Sequence, residues 1–189
     1  PVLFDETIRS LNIRPDGFYI DGTAGGGGHS SAILKELTTG KLLSIDQDPD
    51  AVETVTRRFA GNPCSVVRRA NFSEMVQVAG EEGFSSVDGI LLDIGVSSHQ
   101  LDEESRGFSY HADAPLDMRM SQTGMTAEEL VTTISEEELA RILFTYGEES
   151  FARSIARRIV QARQEKPIHT TLELAELIKS GVPQKVRRM

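Results

Sequence analysis

The sequence predicts an α/β fold: a doubly wound, mostly parallel sheet interrupted by an all-helical region. Three observations predict it. Over residues 1–100, short Val/Ile/Leu-rich runs with little polar alternation take turns with helix-compatible segments. That is the order of repeated strand–helix–strand units whose strands are covered on both faces. One junction, "YIDGTAGGGGHS" (Tyr19 to Ser30), carries an apolar run through four consecutive glycines into a helix start. Beyond Gly107 strand patterns stop and helix-capping patterns take over.

The elements follow in order. "FYID" ending at Asp21 reads as the first strand, and "HSSAILKEL" from His29 as a helix with Ile33, Leu34 and Leu37 on one side. "KLLSID" (Lys41 to Asp46) is the second strand. Asp48-Pro49-Asp50 supplies a turn and a helix start, with a helix from Asp50 to about Phe59. "CSVVRRA" (Cys64 to Ala70) is the third strand, a weaker helix runs from Ser73, and "VDGILLD" (Val87 to Asp93) is the fourth strand.

Residues 125–182 read as helical. Thr126-x-x-Glu129 and Ser135-x-x-Glu138 are two capping boxes, with Gly147 as a helix stop, and Thr170-x-x-Glu173 opens a further helix ended by Gly181 and Pro183. Phe151, Ile155 and Ile159 recur at helical spacing, with Arg153, Arg157, Arg158 and Arg163 largely off that stripe. The division expected is residues 1–107 for the sheet domain and 108–189 for a loop plus helical domain. A nucleotide-binding sheet usually has more strands than four, so the helical block reads as an insertion. Further strands are expected beyond Met189, in a chain truncated at its carboxyl end.

Composition narrows the classes. Hydrophobic residues make up 39% of the chain, enough for a core. No apolar run approaches the roughly 18 residues of a membrane span, and the opening "PVLFDETIRSL" lacks a signal-peptide pattern. The single cysteine, Cys64, excludes a disulfide framework and a cysteine-based metal cluster, and fits a reducing cytoplasm. His29, His99, His111 and His169 are scattered, so no metal site is expected. Net charge is −9, but residues 151–189 hold nine Lys+Arg against three Asp+Glu. That asymmetry points to a basic surface for an anionic partner, with a solvated helix face as the alternative.

The glycine run costs backbone entropy, which only an unusual turn or close approach to a ligand offsets. A flexible linker would be longer and lack apolar flanks. Dinucleotide enzymes share this strand–loop–helix device, with an acid at the end of the second strand for the ribose. S-adenosylmethionine enzymes also place an acid at the end of the first strand, facing a ligand with a cationic methionyl group. Asp21 holds that position, with Gly25, Gly26, Gly27 and Gly28 behind it. Asp46 ends the second strand, where it can accept bonds from ribose hydroxyls. The pair favours the methyl donor. Asn71 or Phe72, after the third strand, falls where an adenine would rest; Phe72 either stacks on it or is plain core. Asp93 ends the fourth strand ahead of a Gly/Ser-rich turn, as a site residue or as a turn cap. "RGFSYHADAPLDMRM" (Arg106 to Met120) reads as a packed lid rather than a linker.

With "IDQDPDA", "ANFSEM", "DGILLDIGVSSHQLD", "YGEESFARSIARRIVQARQEKPIHTT" and the opening "PVLFDETI", these motifs resemble, in this order and along the whole span, the bacterial small-subunit ribosomal RNA methyltransferase H (MraW) family. The resemblance implies a Rossmann-like methyltransferase domain with a helical insertion. It also implies methyl transfer from S-adenosylmethionine to the N4 amino group of a cytosine in the decoding region of small-subunit (16S) ribosomal RNA. It places Gly27, Gly28 and His29 on the cofactor, Asp46 at its ribose, Phe72 on the adenine side, and Asp93 and Gln100 completing the pocket. His29 alone would suggest a general base; its place in the motif favours binding. His99, Ala114 and Ser121 stand where the family usually has proline, glycine and aspartate, departures that touch the lid and leave the cofactor residues intact.

Asp93 is the candidate catalytic group, accepting a hydrogen bond and then a proton from the target amino group. Phe108 and Tyr110 are candidates to stack the target base, and Asp117 and Arg119 in the same stretch are further substrate candidates. Arg153, Arg157, Arg158 and Arg163 are expected to meet phosphates of ribosomal RNA, free or in an assembled subunit. Two rival classes are a nicotinamide oxidoreductase, which leaves Asp21 and the basic block unexplained, and a non-catalytic nucleotide-binding module, which leaves the polar lid unexplained.

Overall fold

Strands form where β-branched and leucine runs meet turn residues, and the structure, a computed structural model describing residues 3–182, pairs them all in parallel. The first region runs α1 (Phe4–Leu11), β1 (Phe18–Asp21), α2 (Gly28–Glu36), β2 (Lys41–Asp46), α3 (Pro49–Arg58), β3 (Ser65–Arg69), α4 (Met75–Glu81) and β4 (Gly89–Leu91). A 3-10 turn, Phe72–Glu74, leads into α4. Sheet order is β3-β2-β1-β4. Asp21 sits opposite Ser44 on β2 and opposite Leu91 on β4, and Asp46 opposite Arg69 on β3.

Alternation along the two central strands sends side chains to both faces. Tyr19 and Leu42 join Ile33, Leu34, Leu37 and Cys64 in one buried cluster. Ile20, Leu43 and Ile45 join Ala79 and Phe84 in another. Burying a leucine or isoleucine side chain is worth about 1.5–3 kcal/mol relative to leaving it exposed, so β1 and β2 anchor the sheet. The double cover expected of all four strands holds for these two. At the β4 edge Ile90 is 48% exposed and Ile94, just beyond, 72%. No strand lies beyond β4 among the described residues.

The eight-residue α1 was not expected from sequence. It has no side-chain cap to announce it, yet its Ile8 and Leu11 pack against the Tyr19 cluster. The second helix start falls at Pro49, where the Asp48 carboxylate accepts from the Asp50 amide at 3.1 Å.

The helical region holds α5 (Ser98–Asp102), α6 (Ala127–Thr133), α7 (Glu136–Gly147), α8 (Ala152–Glu165) and α9 (Thr171–Gly181). Full capping boxes open α6 and α9, and the Ser135 hydroxyl caps α7. Gly147 is the last residue of α7, and the left-handed position that ends it falls on Glu148, φ 51°. Ile155 and Ile159 bury with Leu116, Val131, Leu139, Ala156 and Ile168, and Phe151 packs against them. Gly181 closes α9 as expected; Pro183 lies outside the described residues.

The chain divides into two compact units. One runs to Ser97 and takes in Met120–Gln122; the other holds Ser98–Arg119 and begins again at Thr123. The stretch read as a packed lid is indeed packed. Its Ala114 carbonyl accepts from the Thr171 amide at 2.9 Å, the Leu116 amide donates to His169 at 2.9 Å, and Leu116 is buried. Among the described residues no helix is long and apolar enough to cross a membrane, and no His/Cys/Asp/Glu group is placed to hold a metal.

The contrast between centre and edge is measurable in this 189-residue chain. Leu43→Ala should cost about 2–5 kcal/mol of unfolding free energy. Ile90→Ala, half in water already, should cost about 1 kcal/mol or less. Urea unfolding of both variants checks it; equal losses would mean that β4 is as well covered as β2.

Candidate functional site

The chain passes from β1 to β2 and β3 on one side of the sheet, then returns to place β4 on the other side of β1. Strand order therefore reverses between β1 and β4. Crevices form outside the carboxyl ends of strands at such a reversal. Asp21 and Asp46 stand at the carboxyl ends of β1 and β2, and Asp93 two residues beyond β4.

Asp21 ends β1 and is 1% exposed. Its carboxylate accepts from the Ser30 hydroxyl at 2.6 Å and the Thr23 amide at 3.2 Å, and Ser30 lies 3.0 Å from the Ser44 hydroxyl. Burial pushes the Asp21 carboxyl above its ordinary value; the bonds from Ser30 and Thr23 pull the other way, more weakly. Asp21 thus joins β1, the first turn of α2 and β2 beneath the glycine loop.

The loop is held from three directions. The Gly25 amide donates to Asp46 Oδ2 at 2.8 Å. Arg58, the last residue of α3, donates to the Gly26 carbonyl at 2.7 Å. Gly27 takes φ 76°, and a Cβ there would lie 3.0 Å from the Phe59 ring and 3.3 Å from Val55. A side chain would be strained in that conformation and crowded as well. Gly28 opens α2. Next comes His29, buried, its ring stacked on Phe4 at 5.4 Å, with Nε2 lacking any hydrogen-bond partner. A buried polar atom left unsatisfied costs about 1–3 kcal/mol.

Asp46 also accepts from the Asp48 amide at 2.9 Å through its other oxygen. A carboxylate offers about four lone-pair sites, so two remain. Asn71 caps the turn after β3 and reaches Gln47 at 3.0 Å, and Phe72, the next residue, is half-buried. Asp93 follows β4 and is exposed; its amide donates to the Thr23 hydroxyl at 2.7 Å. Of the predicted cofactor residues, Asp21, Gly25, Gly27, Gly28, His29, Asp46, Phe72 and Asp93 all belong to this one unit.

Gln100 belongs to the other unit, where it is buried on α5. Asp117 and Arg119 pair with each other: Nη2 lies 2.7 Å from Oδ2, and Nε reaches both carboxylate oxygens. These bonds hold the Asp117 carboxyl below its ordinary value. Phe108 is half-buried, and Tyr110 is 63% exposed against the His111 ring. Arg157 pairs with Glu136 at 3.5 Å, and Arg158 donates to the Ser180 hydroxyl. Arg163 departs from the outward-facing cluster expected. It is partly buried and donates to the Val131 carbonyl at 2.7 Å, because the last turn of α6 leaves carbonyls without helical donors.

Thr23, Ser30 and Arg58 were missed in the sequence. Ser44 carried the one legible hint, a hydroxyl in the middle of the apolar run "KLLSID". Nothing in residue type marks an exposed arginine at the end of a helix as the partner of a loop carbonyl 32 positions away.

Compared with known proteins, the whole chain, residues 1–189, matches the MraW methylase family. It is 56% identical over 189 residues to "Ribosomal RNA small subunit methyltransferase H" of Lachnospira eligens, covering 98% of this chain and 60% of that protein. The Brevibacillus brevis protein of the same name is 51% identical, over 99% of this chain and 60% of its own. That of Clostridium botulinum strain Kyoto is 50% identical, over 99% and 61%. The chain thus spans about 60% of the length of the curated relatives it matches. The crystal structure of P. horikoshii TYW2 in complex with MeSAdo is similar over 76% of this chain and 51% of that one, at 19% identity and TM-score 0.35, too weak a likeness to add to the fold described.

Asp21 gives the unit a signature in pH. Its carboxyl binds a proton more tightly in the folded protein than in the unfolded chain, where the ordinary value is 3.8. That contribution to stability is complete below the unfolded value and is lost as pH rises through the folded one. Asp21→Asn removes it, so urea unfolding from pH 3 upward should show the parent losing stability relative to the variant as pH rises. Parallel curves would contradict the assignment.

Proposed function

The chain belongs to the MraW methylase family, and from that premise we propose that the full-length protein transfers a methyl group from S-adenosylmethionine to small-subunit (16S) ribosomal RNA. The acceptor in this reading is the N4 amino group of a cytosine in the decoding region, and the reaction is cytoplasmic. The names of the relatives support the class of substrate.

The observation that carries the reading is a set of unfinished polar groups at the carboxyl ends of β1, β2 and β4 and the start of α2. His29 Nε2 is buried and unpartnered. Asp46 keeps acceptor sites after anchoring Gly25 and Asp48. Asp93 stands exposed on an amide fixed by Thr23. These residues fit the cofactor. Asp46 would take the ribose hydroxyls, the turn at Gly27 and Gly28 with His29 the methionyl end, and Phe72 the adenine side, with Asp93 completing the set within this unit. Asp21, buried and bonded to Ser30, supports the loop from beneath rather than offering a free oxygen. The cofactor supplies an electrophilic methyl on a sulfonium.

The protein's task is alignment. An exocyclic amino nitrogen is a poor nucleophile because its lone pair is delocalised into the ring, so orientation and exclusion of water carry most of the acceleration. Asp93 accepts a hydrogen bond from the amino group, which localises the lone pair, and takes the proton as the new N–C bond forms. Its position is set by the Thr23–Asp93 hydrogen bond, not by its own burial. In the helical unit, Tyr110 and Phe108 offer aromatic faces to a base, with Asp117 and Arg119 beside them in sequence. Arg153, Arg157 and Arg158 offer cations to phosphates. A target base must be unstacked to react, at a cost of a few kcal/mol unless it is already single-stranded.

The exposed β4 edge and the greater length of the relatives support further strands pairing there in the full-length protein, with residues 108–189 as an insertion. Methyl transfer from labelled donor by full-length protein, with free ribosomal RNA and isolated small subunits as acceptors and mass-spectrometric mapping of the product, tests the reading. A label on N4 of one cytosine supports it; no transfer to either acceptor overturns it. Calorimetry with S-adenosylmethionine and NAD side by side separates it from a nicotinamide enzyme.

Asp46→Ala should weaken S-adenosylmethionine binding by about 10- to 100-fold, since a charged acceptor is lost. The Gly25 anchor goes with it, so the upper part of that range is expected. An unchanged Kd would refute the ribose assignment.

Asp93→Asn keeps shape and removes the proton acceptor. Its single-turnover rate should fall by about 10²-fold or more, the usual contribution of a positioned base, with a smaller change in cofactor affinity. If affinity collapses while methylation at saturating cofactor survives, Asp93 binds and does not catalyse.

A further inference from the structure

No role above uses Gln47, the residue directly after Asp46. It is half-buried, and its side-chain amide meets two partners. Its Oε1 accepts from Asn71 Nδ2 at 3.0 Å, and its Nε2 lies 3.4 Å from the sulfur of Met120. A backbone group fixes this orientation. The Ser73 amide can only donate, and it meets Asn71 Oδ1 at 2.9 Å, so Asn71 turns its NH2 group to Gln47. Gln47 must answer with its carbonyl oxygen, which leaves its own NH2 group facing Met120.

Met120 is held in place as well. With Ser121 and Gln122 it belongs to the sheet unit, although the residues on either side do not. Arg69 donates to the Ser121 carbonyl at 2.8 Å, and Gln122 Nε2 donates to Asp50 Oδ2 at 2.8 Å. Gln122 keeps φ at 57°, a left-handed conformation that a non-glycine residue holds only where its surroundings over-determine it. The two glutamines of this cluster therefore end differently. Gln122 finds a carboxylate, whereas Gln47 finds a thioether, a weak acceptor. The Gln47 NH2 group carries two N–H bonds and meets no oxygen acceptor among the described residues.

We propose that Gln47 is a specificity-determining residue for the base of the methyl donor, its NH2 group donating to a ring nitrogen of adenine. The inference rests on the reading of this crevice as an S-adenosylmethionine site. In that reading Asp46 holds the ribose and Phe72 the adenine side. The Gln47–Asn71 bond joins the neighbour of the first to the neighbour of the second. N3, the ring nitrogen on the sugar side of the base, is the acceptor it meets. It is a stronger acceptor than a thioether and, like every ring nitrogen without a proton, needs a donor.

The test is calorimetric titration of full-length protein with S-adenosylhomocysteine and its 3-deaza counterpart, in which C–H replaces N3. Mildly alkaline pH keeps both bases neutral. The parent should bind the 3-deaza ligand about ten-fold more weakly. Gln47→Met keeps the length and loses the donor. It should weaken S-adenosylhomocysteine by about the same factor and bind the two ligands equally, because both changes remove one interaction. Asn71→Asp reads the same bond without touching Gln47, and serves if Gln47→Met does not fold. A carboxylate only accepts, so the Gln47 amide turns its NH2 group toward it and its carbonyl toward the base, and the discrimination should vanish. A parent that binds both ligands alike overturns the inference, with water as the partner of the NH2 group. Discrimination of about ten-fold that persists in either variant overturns it too, and both results leave the cofactor site standing. A parent that binds neither S-adenosylhomocysteine nor S-adenosylmethionine overturns the reading itself.

Discussion

A carboxylate taken out of water at the end of β1 is the constraint on which the first unit depends. Burying a charged or polar group is costly unless hydrogen bonds replace its hydration. Asp21 is 1% exposed, and the donors it has are the Ser30 hydroxyl and the Thr23 amide. Those two donors lie at either end of the glycine loop. Keeping Asp21 satisfied therefore fixes where the loop leaves β1 and where it enters α2. Everything between must turn within that span, which is why Gly27 adopts a left-handed conformation against Phe59.

The neighbouring strand ends inherit the same economy. Asp46 holds Gly25 and Asp48 at once, so the glycine loop and the start of α3 move as one piece. Thr23, whose amide serves Asp21, turns its hydroxyl to Asp93 and so carries the constraint across to β4. Three strand ends are thereby connected through single side chains. Preorganisation of this kind is what alignment-driven catalysis needs, because the reacting groups then lose little freedom when a substrate arrives. It also divides the carboxylates by role: Asp21 is internal and spends its oxygens on the fold, while Asp46 and Asp93 retain capacity facing outward.

The helical unit is built on another principle. Its helices begin at capping side chains and bury one stripe each around Leu116, Ile155 and Ile159, so local signals and packing agree. Agreement of that kind leaves the outer faces free to vary, and there the arginines separate. Arg163 is drawn inward by the Val131 carbonyl, and Arg158 reaches α9. Arg153 and the aromatic end of α7 stay open. A row of like charges in a sequence is thus several different things once each guanidinium has found, or failed to find, an acceptor.

Periodicity, caps and turn residues are local, and what they govern was legible in the sequence. The four strands, the glycine junction, the helices opened by Thr126, Ser135 and Thr170, and the carboxylates at the strand ends all follow from neighbours a few positions apart. What escaped depends on contacts between distant segments. Helix α1 lacks a cap and is held by packing on Tyr19; Ser30 and Thr23 become important only because Asp21 is buried; Arg58 finds Gly26 across the turn of α3. The exposure of β4 and of Phe144 likewise arises from which elements lie next to each other. Residue order determined the parts and their chemistry. Only the tertiary structure decided which polar groups are satisfied and which remain available, because hydrogen-bond partnership and burial are properties of spatial neighbours.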